Sequence, residues 1–518
     1  MLFNSYGFIF LFLPFVLLGF FQFAKIRPSF AAGWLAAASL FFYGYWNLAY
    51  VGLLLGSIIC NYTFSIGIAR SGVMQKPVRQ RYLLILALTA NLLLLSYYKY
   101  ANFFLNSINN ATDAHLTLVQ VILPLGISFF TFTQIAFLVD TYQGKVKESN
   151  FIHYTLFVTY FPHLIAGPVL HHKEMMPQFA VASTYRFNYE NMAVGITIFF
   201  MGLFKKVILA DGLAPFVDPV FAGAAAGVNL TVTDAWCGAL CYTLQLYFDF
   251  SGYSDMAIGL SRMFGITLPL NFNSPYKSVN IIEFWRRWHM TLSRFLRDYL
   301  YFPLGGSRKG KMRRYLNLMV TMLLGGLWHG AGWTFIVWGG LHGLYLAINH
   351  GWQNLRKRIG QNPDIPLSRP AQAVAILITF LAVVAGWVVF RANNISVAVA
   401  ILKAMVGMNG LILPEAWLQE WGILGQWLAA HGVTFSASYG FISGAIDWIW
   451  ISLLLVWFTP NTQQIMAVYK PVLDMPAEGQ ISLLRWQPSF RTAILVWLLG
   501  FIAIIHLNKQ SAFLYFQF

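Results

Sequence analysis

Long apolar segments recur along most of the chain and are separated by short polar stretches. Each approaches the ~20 residues that a helix needs to cross about 30 Å of hydrocarbon. We therefore predict an all-α, polytopic transmembrane protein with about ten to thirteen membrane helices. No internal repeat is evident, so a duplicated, transporter-like fold has no support. The segments lie at 5–24, 30–46, 48–69, 82–98, 117–139, 151–170, 191–210, 235–260, 315–333, 334–350, 371–390, 437–458 and 490–507.

Proline and glycine interrupt several of these segments, as at Pro162, Gly167–Pro168 and Gly325–Gly326. Irregular backbone at membrane depth is tolerated only inside protein or beside a water-filled cavity, because lipid cannot satisfy its hydrogen bonds. We therefore expect some of the predicted helices to be re-entrant or interfacial.

The composition agrees with a membrane location. Of the 518 residues, 58% are hydrophobic and 10% are charged, whereas soluble domains have about 45–50% apolar and about 25% charged residues. The net charge of +16 does not indicate a nucleic-acid partner, because basic residues of membrane proteins gather in cytoplasmic loops near lipid headgroups. We expect membrane lipid as the surrounding partner and the basic loops at 70–81, 308–314 and 356–358 on the cytoplasmic side.

The three cysteines, Cys60, Cys237 and Cys241, all lie in apolar segments. Cys237 and Cys241 share a helix face, but two thiols without a neighbouring histidine or carboxylate make a poor zinc site. We expect them to be small packing residues, and we predict no metal site.

His329 lies deep in an apolar segment. A full charge at bilayer depth costs roughly 2.5–3.5 kcal/mol, and ionisable residues there are usually functional. Gly325, Gly326 and Gly330 flank His329 and would let a backbone or a thin ligand approach. Because imidazole titrates near physiological pH, His329 is a candidate general base for an attacking hydroxyl. The alternative is a structural histidine that is hydrogen-bonded across helices.

The stretch 281–302 combines Trp and Arg residues with a second histidine, His289. Arg286, His289, Ser293 and Arg297 recur at steps of three or four residues, which predicts one amphipathic interfacial helix with all four on one face. Positive charge nearby would lower the pKa of His289 and keep its imidazole neutral near pH 7.

Arg286 and Arg287 allow two interpretations. Guanidinium groups bind phosphate oxygens well, so the pair could hold a phosphate-bearing ligand. Arg and Trp residues also anchor helices at a membrane interface without any chemistry. Glu283 stands one helical turn before Arg287 and can pair with it.

An unusual polar group stands in the segment 245–255, where Gln245, Asp249 and Asp255 interrupt apolar sequence. These side chains could line a polar tunnel or form ion pairs with arginines of the 281–302 stretch. Ionic structural pairing is the interpretation we favour. The sequence carries no nucleotide-binding glycine loop, Ser-His-Asp order or EF-hand pattern.

Together these motifs resemble the membrane-bound O-acyltransferase (MBOAT) family, and within it the alginate O-acetyltransferase branch. The resemblance covers most of the first 350 residues and returns at the C-terminus, whereas about 392–490 shows little of it. It suggests one membrane-embedded acyltransferase domain over 1–518. The matching segments are Phe161–Leu170, Gln245–Gly259, Asn271–Tyr276, Glu283–Ser293, Leu296–Tyr301, Leu304–Gly310, Leu323–Ala331 and Leu514–Phe518.

The resemblance implies acyl transfer through a central tunnel in a bacterial inner membrane. The family's invariant histidine falls on His329, the expected general base or proton shuttle, and its second histidine falls on His289, an assisting group. No tightly bound cofactor is implied, and the donor would be acetyl-coenzyme A or an acyl-carrier species. Periplasmic acetyltransferase partners would pass the acetyl group to an extracellular polysaccharide. The candidate substrate-binding residues are Arg286, Arg287, Trp328, Asp249 and Gln245.

Two other functions stay open at this point. A related branch transfers D-alanine to teichoic acid from a carrier protein; Met290–Thr291 is closer to that branch, and Ser307 replaces an Asn common in the alginate group, whereas Arg286 stands where the D-alanyl branch often has Asn. The other possibility is a transporter or flippase of lipid-linked sugar, which would call for internal repeats or a charged path and would tolerate loss of His329.

Overall fold

The computed structural model describes residues 1–165, 167–362, 365, 367–436, 440–474, 484–507 and 513–514. Ala166 of the Phe161–Leu170 motif and Tyr515–Phe518 of the final motif lie outside these residues.

The described chain is mostly helical and has almost no strand, as the apolar segments predict. The first part contains α1 (Leu13–Ile26), α2 (Pro28–Gly44), α3 (Ala49–Val73), α4 (Pro77–Leu95), α5 (Ala101–Thr112), α6 (Ile127–Tyr142), α7 (Phe151–Thr159), α8 (Phe161–Leu164), α9 (His172–Ala180), α10 (Tyr189–Phe204), α11 (Asp211–Leu213) and α12 (Asp218–Ala225). The second part contains α13 (Val232–Met263), α14 (Ile281–Arg287), α15 (Met290–Leu296), α16 (Lys311–His329), α17 (Trp333–Arg358), α18 (Arg369–Arg391), α19 (Ile395–Met405), α20 (Glu415–Glu420), α21 (Ile423–Ala430), α22 (Gly440–Phe458), α23 (Thr462–Ile465) and α24 (Phe490–Ile505).

The described structure also contains π-helical segments, two short strands and short 3-10 helices at Ala182–Tyr185, Ala214–Phe216, Pro275–Lys277 and Ala467–Tyr469. β1 (Ile412–Pro414) and β2 (Thr434–Ser436) pair in parallel, with Leu413 opposite Phe435. The π-helical segments are Gly7–Phe12, Ser96–Tyr100, Lys205–Ala210 and Arg297–Tyr301.

Polar residues begin several of these helices. The side chain of Asn150 accepts hydrogen bonds from the backbone at the start of α7, and Asn280 does the same for α14. Asn394 caps α19, and Ser489 caps α24 through a reciprocal bond with Thr492. Such caps satisfy backbone N–H groups that have no partner within the helix. They therefore fix the residue at which each helix begins.

The chain forms two compact units that alternate along the sequence. The first consists of Met1–Phe204, Gly252–Asn271 and Thr462–Gln510. The second consists of Lys205–Ser251, Phe272–Asn461 and Ser511–Phe518. The long helix α13 contributes its N-terminal part to the second unit and its C-terminal part to the first. The interpretation of 1–518 as one domain stays a prediction.

Length and composition make five described helical stretches able to cross a membrane: Gly7–Ile26, Ala49–Val73, Pro77–Thr112, Tyr189–Ala225 and Arg369–Arg391. Shorter apolar helices accompany them, including α19 and α24. The all-α, multi-pass membrane fold is therefore confirmed, whereas the number of complete crossings stays a prediction.

The structure corrects one predicted segment and confirms the break that we expected near Pro162 in another. In the segment 117–139, helix begins only at Ile127, after the left-handed residue Gly126. The segment 151–170 is two helices, because α7 ends before Tyr160 and Pro162 lies in the first turn of α8. Proline has no N–H and fits a first helical turn but not a helix interior, which explains the break.

Gly325 and Gly326 do not break a helix, contrary to our expectation, because α16 runs through both. Glycine here permits close packing of α16 against α17 instead. A β-carbon on Gly326 would overlap the carbonyl oxygen of Phe335, and one on Gly339 would overlap the carbonyl oxygen of Met322. Small residues at such contacts let helix backbones approach within a membrane protein.

We predict that Gly339→Ala lowers the free energy of unfolding by about 1–3 kcal/mol, because the added methyl group forces α16 and α17 apart. Thermal unfolding of the purified protein in detergent measures the change. Gly340→Ala is the matched control, since a β-carbon there meets only Leu323 Cδ2 at 3.4 Å. Equal melting temperatures for the two variants would contradict the role of this contact.

Candidate active site

The backbone at His289 separates two helices. α14 ends at Arg287, Trp288 is extended, and His289 adopts the left-handed conformation with φ 42° and ψ 52° before α15 begins. The single amphipathic helix that we expected over 281–302 is therefore wrong, because a left-handed residue ends a right-handed helix. Arg286 is exposed whereas His289 is buried, so they do not share one face. The interfacial location of the stretch stays a prediction.

The break directs His289 into the protein interior, where it is only 1% exposed. Non-glycine residues with positive φ are uncommon, and they cluster at functional sites where the surrounding structure holds them. An unbroken helix through 281–302 would have kept His289 in register with exposed Arg286. The left-handed turn is thus what separates the buried imidazole from the charged surface.

The second histidine, His329, is the last residue of α16 and is followed by the extended residue Gly330. Its ring centroid lies 6.4 Å from that of His289. The two histidines that the sequence singled out are therefore neighbours in the second unit, although they are forty residues apart in the chain. Their chemical roles stay predictions.

Aromatic rings surround both imidazoles. Phe250 lies 4.8 Å from His289, centroid to centroid, while Trp338 and Phe390 lie 5.2 and 5.4 Å from His329. Trp328 is buried and contacts both histidines, at 6.0 Å from His289 and 4.9 Å from His329. We call the two histidines and these four aromatic residues the histidine site.

Burial lowers the pKa of His289 below its ordinary value, because the interior disfavours the imidazolium. This agrees with the expected direction, but the cause is loss of solvation rather than the charge of neighbouring arginines. A neutral imidazole has one N–H donor and one acceptor nitrogen, so His289 can relay or orient a proton without carrying charge.

Arg287 is engaged by its own helix and by the loop before it. Its guanidinium contacts the Glu283 carboxylate at 2.7 Å through Nη2 and donates from Nε at 2.9 Å, which confirms the predicted pair. The Asn273 N–H donates to the Arg287 carbonyl at 2.9 Å. These bonds fix the end of α14 immediately before His289. Arg286 instead points toward the surface, so donor binding by either arginine stays a prediction.

A buried ion cluster holds Asp249. The ammonium group of Lys206 lies 2.6 Å from Asp249 Oδ1 and 2.8 Å from Asp211 Oδ1. The second oxygen of Asp249 accepts a hydrogen bond from the Leu514 N–H at 3.2 Å. The favoured ionic pairing of Asp249 is thus observed, with a lysine as partner.

The other polar residues of the 245–255 segment have separate surroundings. Gln245 is buried one helical turn before Asp249, and no described atom hydrogen-bonds to its Oε1. Asp255 belongs to the first unit, where it accepts hydrogen bonds from Thr462 at 2.6 Å and Gln463 at 2.8 Å. Substrate binding by Gln245 or Asp249 stays a prediction.

Sequence reasoning did not select Trp338, which the structure places beside His329, or His342, which packs against Trp338. His342 is fully buried, and its ring lies 4.7 Å from that of Trp338. Their spacing of four residues within the apolar segment 334–350 was a usable signal, because it puts both on one helix face. Lys206 was also missed, since a lysine at the end of an apolar segment ordinarily indicates a loop.

Two buried imidazoles in an aromatic site of a helical membrane protein are typical of an enzyme-like centre, because buried polar groups are costly and are usually retained for a function. The chain belongs to the membrane-bound O-acyltransferase family, whose sequence model it matches over residues 39–385. It is therefore an O-acyltransferase. The matched range contains His289 and His329 and ends before the stretch 392–490.

Similar proteins carry related names. The "Peptidoglycan O-acetyltransferase" of Helicobacter pylori is 47% identical over 80% of this chain and 81% of its own length. The "Probable alginate O-acetylase AlgI" of Pseudomonas putida is 40% identical over the full length of both chains. The "Teichoic acid D-alanyltransferase" of Streptococcus thermophilus is 27% identical over 51% of this chain and 68% of its own.

We predict that Lys206→Met lowers the free energy of unfolding by roughly 3–5 kcal/mol, because it leaves two buried carboxylates without their shared cation. The control is Arg297→Met, which breaks the solvent-exposed pair between Arg297 and Asp298 and should cost about 0–1 kcal/mol. Thermal or denaturant unfolding in detergent compares the two. A Lys206→Met protein as stable as the control would show that the cluster contributes little.

Proposed function

We propose that this O-acyltransferase moves an acetyl group from an activated cytoplasmic donor across the membrane for O-acetylation of an extracellular polysaccharide. The observation that carries the proposal is the buried His289–His329 pair, 6.4 Å apart and walled by aromatic rings. The names of the similar O-acetyltransferases support an acetyl group and a polysaccharide acceptor.

In the proposed reaction, His329 is the general base. Its neutral nitrogen takes the proton of an acceptor hydroxyl while that oxygen attacks the acyl carbon of a thioester. The new C–O bond forms, the C–S bond breaks, and the leaving thiolate takes up the proton from the imidazolium. His289 assists by orienting the reacting groups and His329. General acid–base catalysis of this type contributes about 10²–10⁴-fold to the rate.

Dry aromatic walls suit this chemistry for two reasons. Excluding water protects a thioester from hydrolysis, and it strengthens the electrostatic interactions that act on the reacting atoms. In this proposal a narrow central tunnel lets the small acetyl group pass while a bulky, charged donor stays in the cytoplasm. Acetyl-coenzyme A and an acyl-carrier species are both suitable donors.

The names of the similar proteins support a polysaccharide as the acceptor. Two polysaccharides, peptidoglycan and alginate, appear in the names of relatives that are 38–47% identical to this chain. The D-alanyl relatives are 27–28% identical over about half of it. An acetyl group on a cell-envelope or secreted polysaccharide is therefore better supported than D-alanine on teichoic acid. Periplasmic acetyltransferase partners and a bacterial inner-membrane location complete the proposal.

We predict that His329→Ala lowers polysaccharide acetylation by at least about 100-fold, because the attacking hydroxyl loses its base. The variant is expressed in cells that lack the native gene, and ester-linked acetate is released from purified polysaccharide by mild alkali and quantified.

The control is His431→Ala, which removes an exposed histidine of the same unit and should leave acetate at the wild-type level. Both variants must reach equal amounts in the membrane. Undiminished acetylation by His329→Ala would rule out the proposed base. Supplying membranes with labelled acetyl-coenzyme A, or with labelled D-alanine loaded as a thioester on a carrier protein, separates the acetyl reaction from the D-alanyl one.

A further inference from the structure

His342 and Trp338 form a second polar feature next to the histidine site. They stand one turn apart on α17, and each is almost completely buried. Trp338 lies between the two imidazoles, with ring centroids 5.2 Å from His329 and 4.7 Å from His342. Anything bound by these two side chains would therefore lie close to His329.

The hydrogen bonds of His342 fix where its proton is. The indole N–H of Trp285 donates to His342 Nδ1 at 3.2 Å. Indole is only a donor, so Nδ1 must be the acceptor nitrogen, and the neutral ring carries its hydrogen on Nε2. Nε2 of His342 and Nε1 of Trp338 are thus both N–H donors.

Neither donor has a protein acceptor in the part of the chain that the structure describes. Buried N–H groups in native proteins are nearly always hydrogen-bonded, since an unmatched donor loses its water without replacement. Two such groups, both almost fully buried and carried by neighbouring rings, indicate that an acceptor from outside the chain belongs there.

The N–H groups of His342 and Trp338 both lie close to Gly386, which has no side chain. A β-carbon at Gly386 of α18 would lie 3.0 Å from His342 Nε2 and 3.7 Å from Trp338 Nε1. Because residue 386 is glycine, α18 places no side chain at this position, which we call the opening beside Gly386. One turn further along α18, Phe390 packs against His329, so the opening borders the histidine site.

We propose that His342 and Trp338 bind the carbonyl oxygen of the acyl group and stabilise the negative charge that forms on it during transfer. This inference rests on the proposed function. As the acceptor hydroxyl oxygen attacks the acyl carbon, His329 takes the proton and the π electrons of the carbonyl move onto the bound oxygen. The carbonyl re-forms as the C–S bond breaks, and the thiolate leaves with the proton. Donors aimed at such an oxyanion act most strongly in a dry site.

The primary test is Trp338→Phe, which keeps an aromatic ring but removes the N–H. Loss of one oxyanion donor commonly lowers kcat by about 10²–10³-fold, and we expect this fall with KM for the donor nearly unchanged. Because the N–H has no protein partner, the melting temperature should not decrease by more than the loss of ring area explains. Labelled acetyl-coenzyme A with purified membranes, and acetate on polysaccharide in cells, give the two activity readouts.

Trp387→Phe is the matched control. Its indole N–H donates to the Tyr276 hydroxyl at 3.1 Å, so the same substitution removes a bond that the folded protein uses. We expect this variant to melt at a lower temperature than Trp338→Phe and to keep most of its activity per folded molecule.

Substitutions at His342 and Gly386 test the same site independently. His342→Gln keeps a donor near the Nε2 position, whereas His342→Asn places its amide near Nδ1 and loses that donor, so we expect the Gln variant to be at least tenfold more active. Gly386→Ala fills the opening with a methyl group and should reduce transfer as strongly as Trp338→Phe.

The possible outcomes distinguish a failure of this inference from a failure of the proposed function on which it rests. A wild-type chain that supports no acetyl transfer overturns the proposed function, and this inference with it. Wild-type transfer together with an equally active Trp338→Phe overturns the inference alone, and shows that the opening holds water or nothing. Selective loss of kcat in Trp338→Phe and Gly386→Ala, with a stable fold, supports it.

Discussion

The structure depends on hydrogen bonds and ion pairs that give its buried polar side chains partners within the protein, where solvent does not reach them. Burying a charge or an N–H group without a partner is costly, so each polar residue of the second unit constrains the elements around it. Lys206 pairs with two carboxylates, that of Asp211 at the start of α11 and that of Asp249 on α13, and so links the two helices. Glu283 and Arg287 pair within α14 and hold the end of that helix. Trp285, four residues before His289, donates a hydrogen bond to His342.

These bonds hold in place several elements, and each of those elements contributes residues to the histidine site. His289 comes from the turn between α14 and α15, and His329 comes from the end of α16. The glycine contacts between α16 and α17 then bring Trp338 and His342 alongside His329. Aromatic rings pack against both imidazoles of the site. A site built in this way is enclosed by aromatic side chains, which suits the proposed transfer of a small group from a reactive ester.

The site residues differ in kind, and the difference bears on function. Charged groups such as Lys206 and Asp249 are satisfied inside the protein, and they act as structural ties. The neutral rings of His342 and Trp338 keep N–H groups directed at an opening beside Gly386. Membrane proteins in general satisfy their buried polar groups internally, so groups left over at the centre are the ones available to a substrate. The proposed role of His342 and Trp338 rests on this difference.

Periodicity and composition sufficed for the membrane fold, because spanning a bilayer requires long apolar helices whatever the tertiary packing is. The sequence also singled out His289 and His329 as candidate site residues, because ionisable residues are conspicuous in apolar sequence. It predicted the local Glu283–Arg287 pair as well. It did not reveal the left-handed turn at His289, because helical spacing over 281–302 looks continuous when only residue types are considered. The pairing of Asp249 with Lys206 and the approach of His342 to Trp285 join residues that are 43 and 57 positions apart. Only the tertiary structure decided such contacts, because they depend on which helices pack together, and apolar surface by itself does not specify a neighbour.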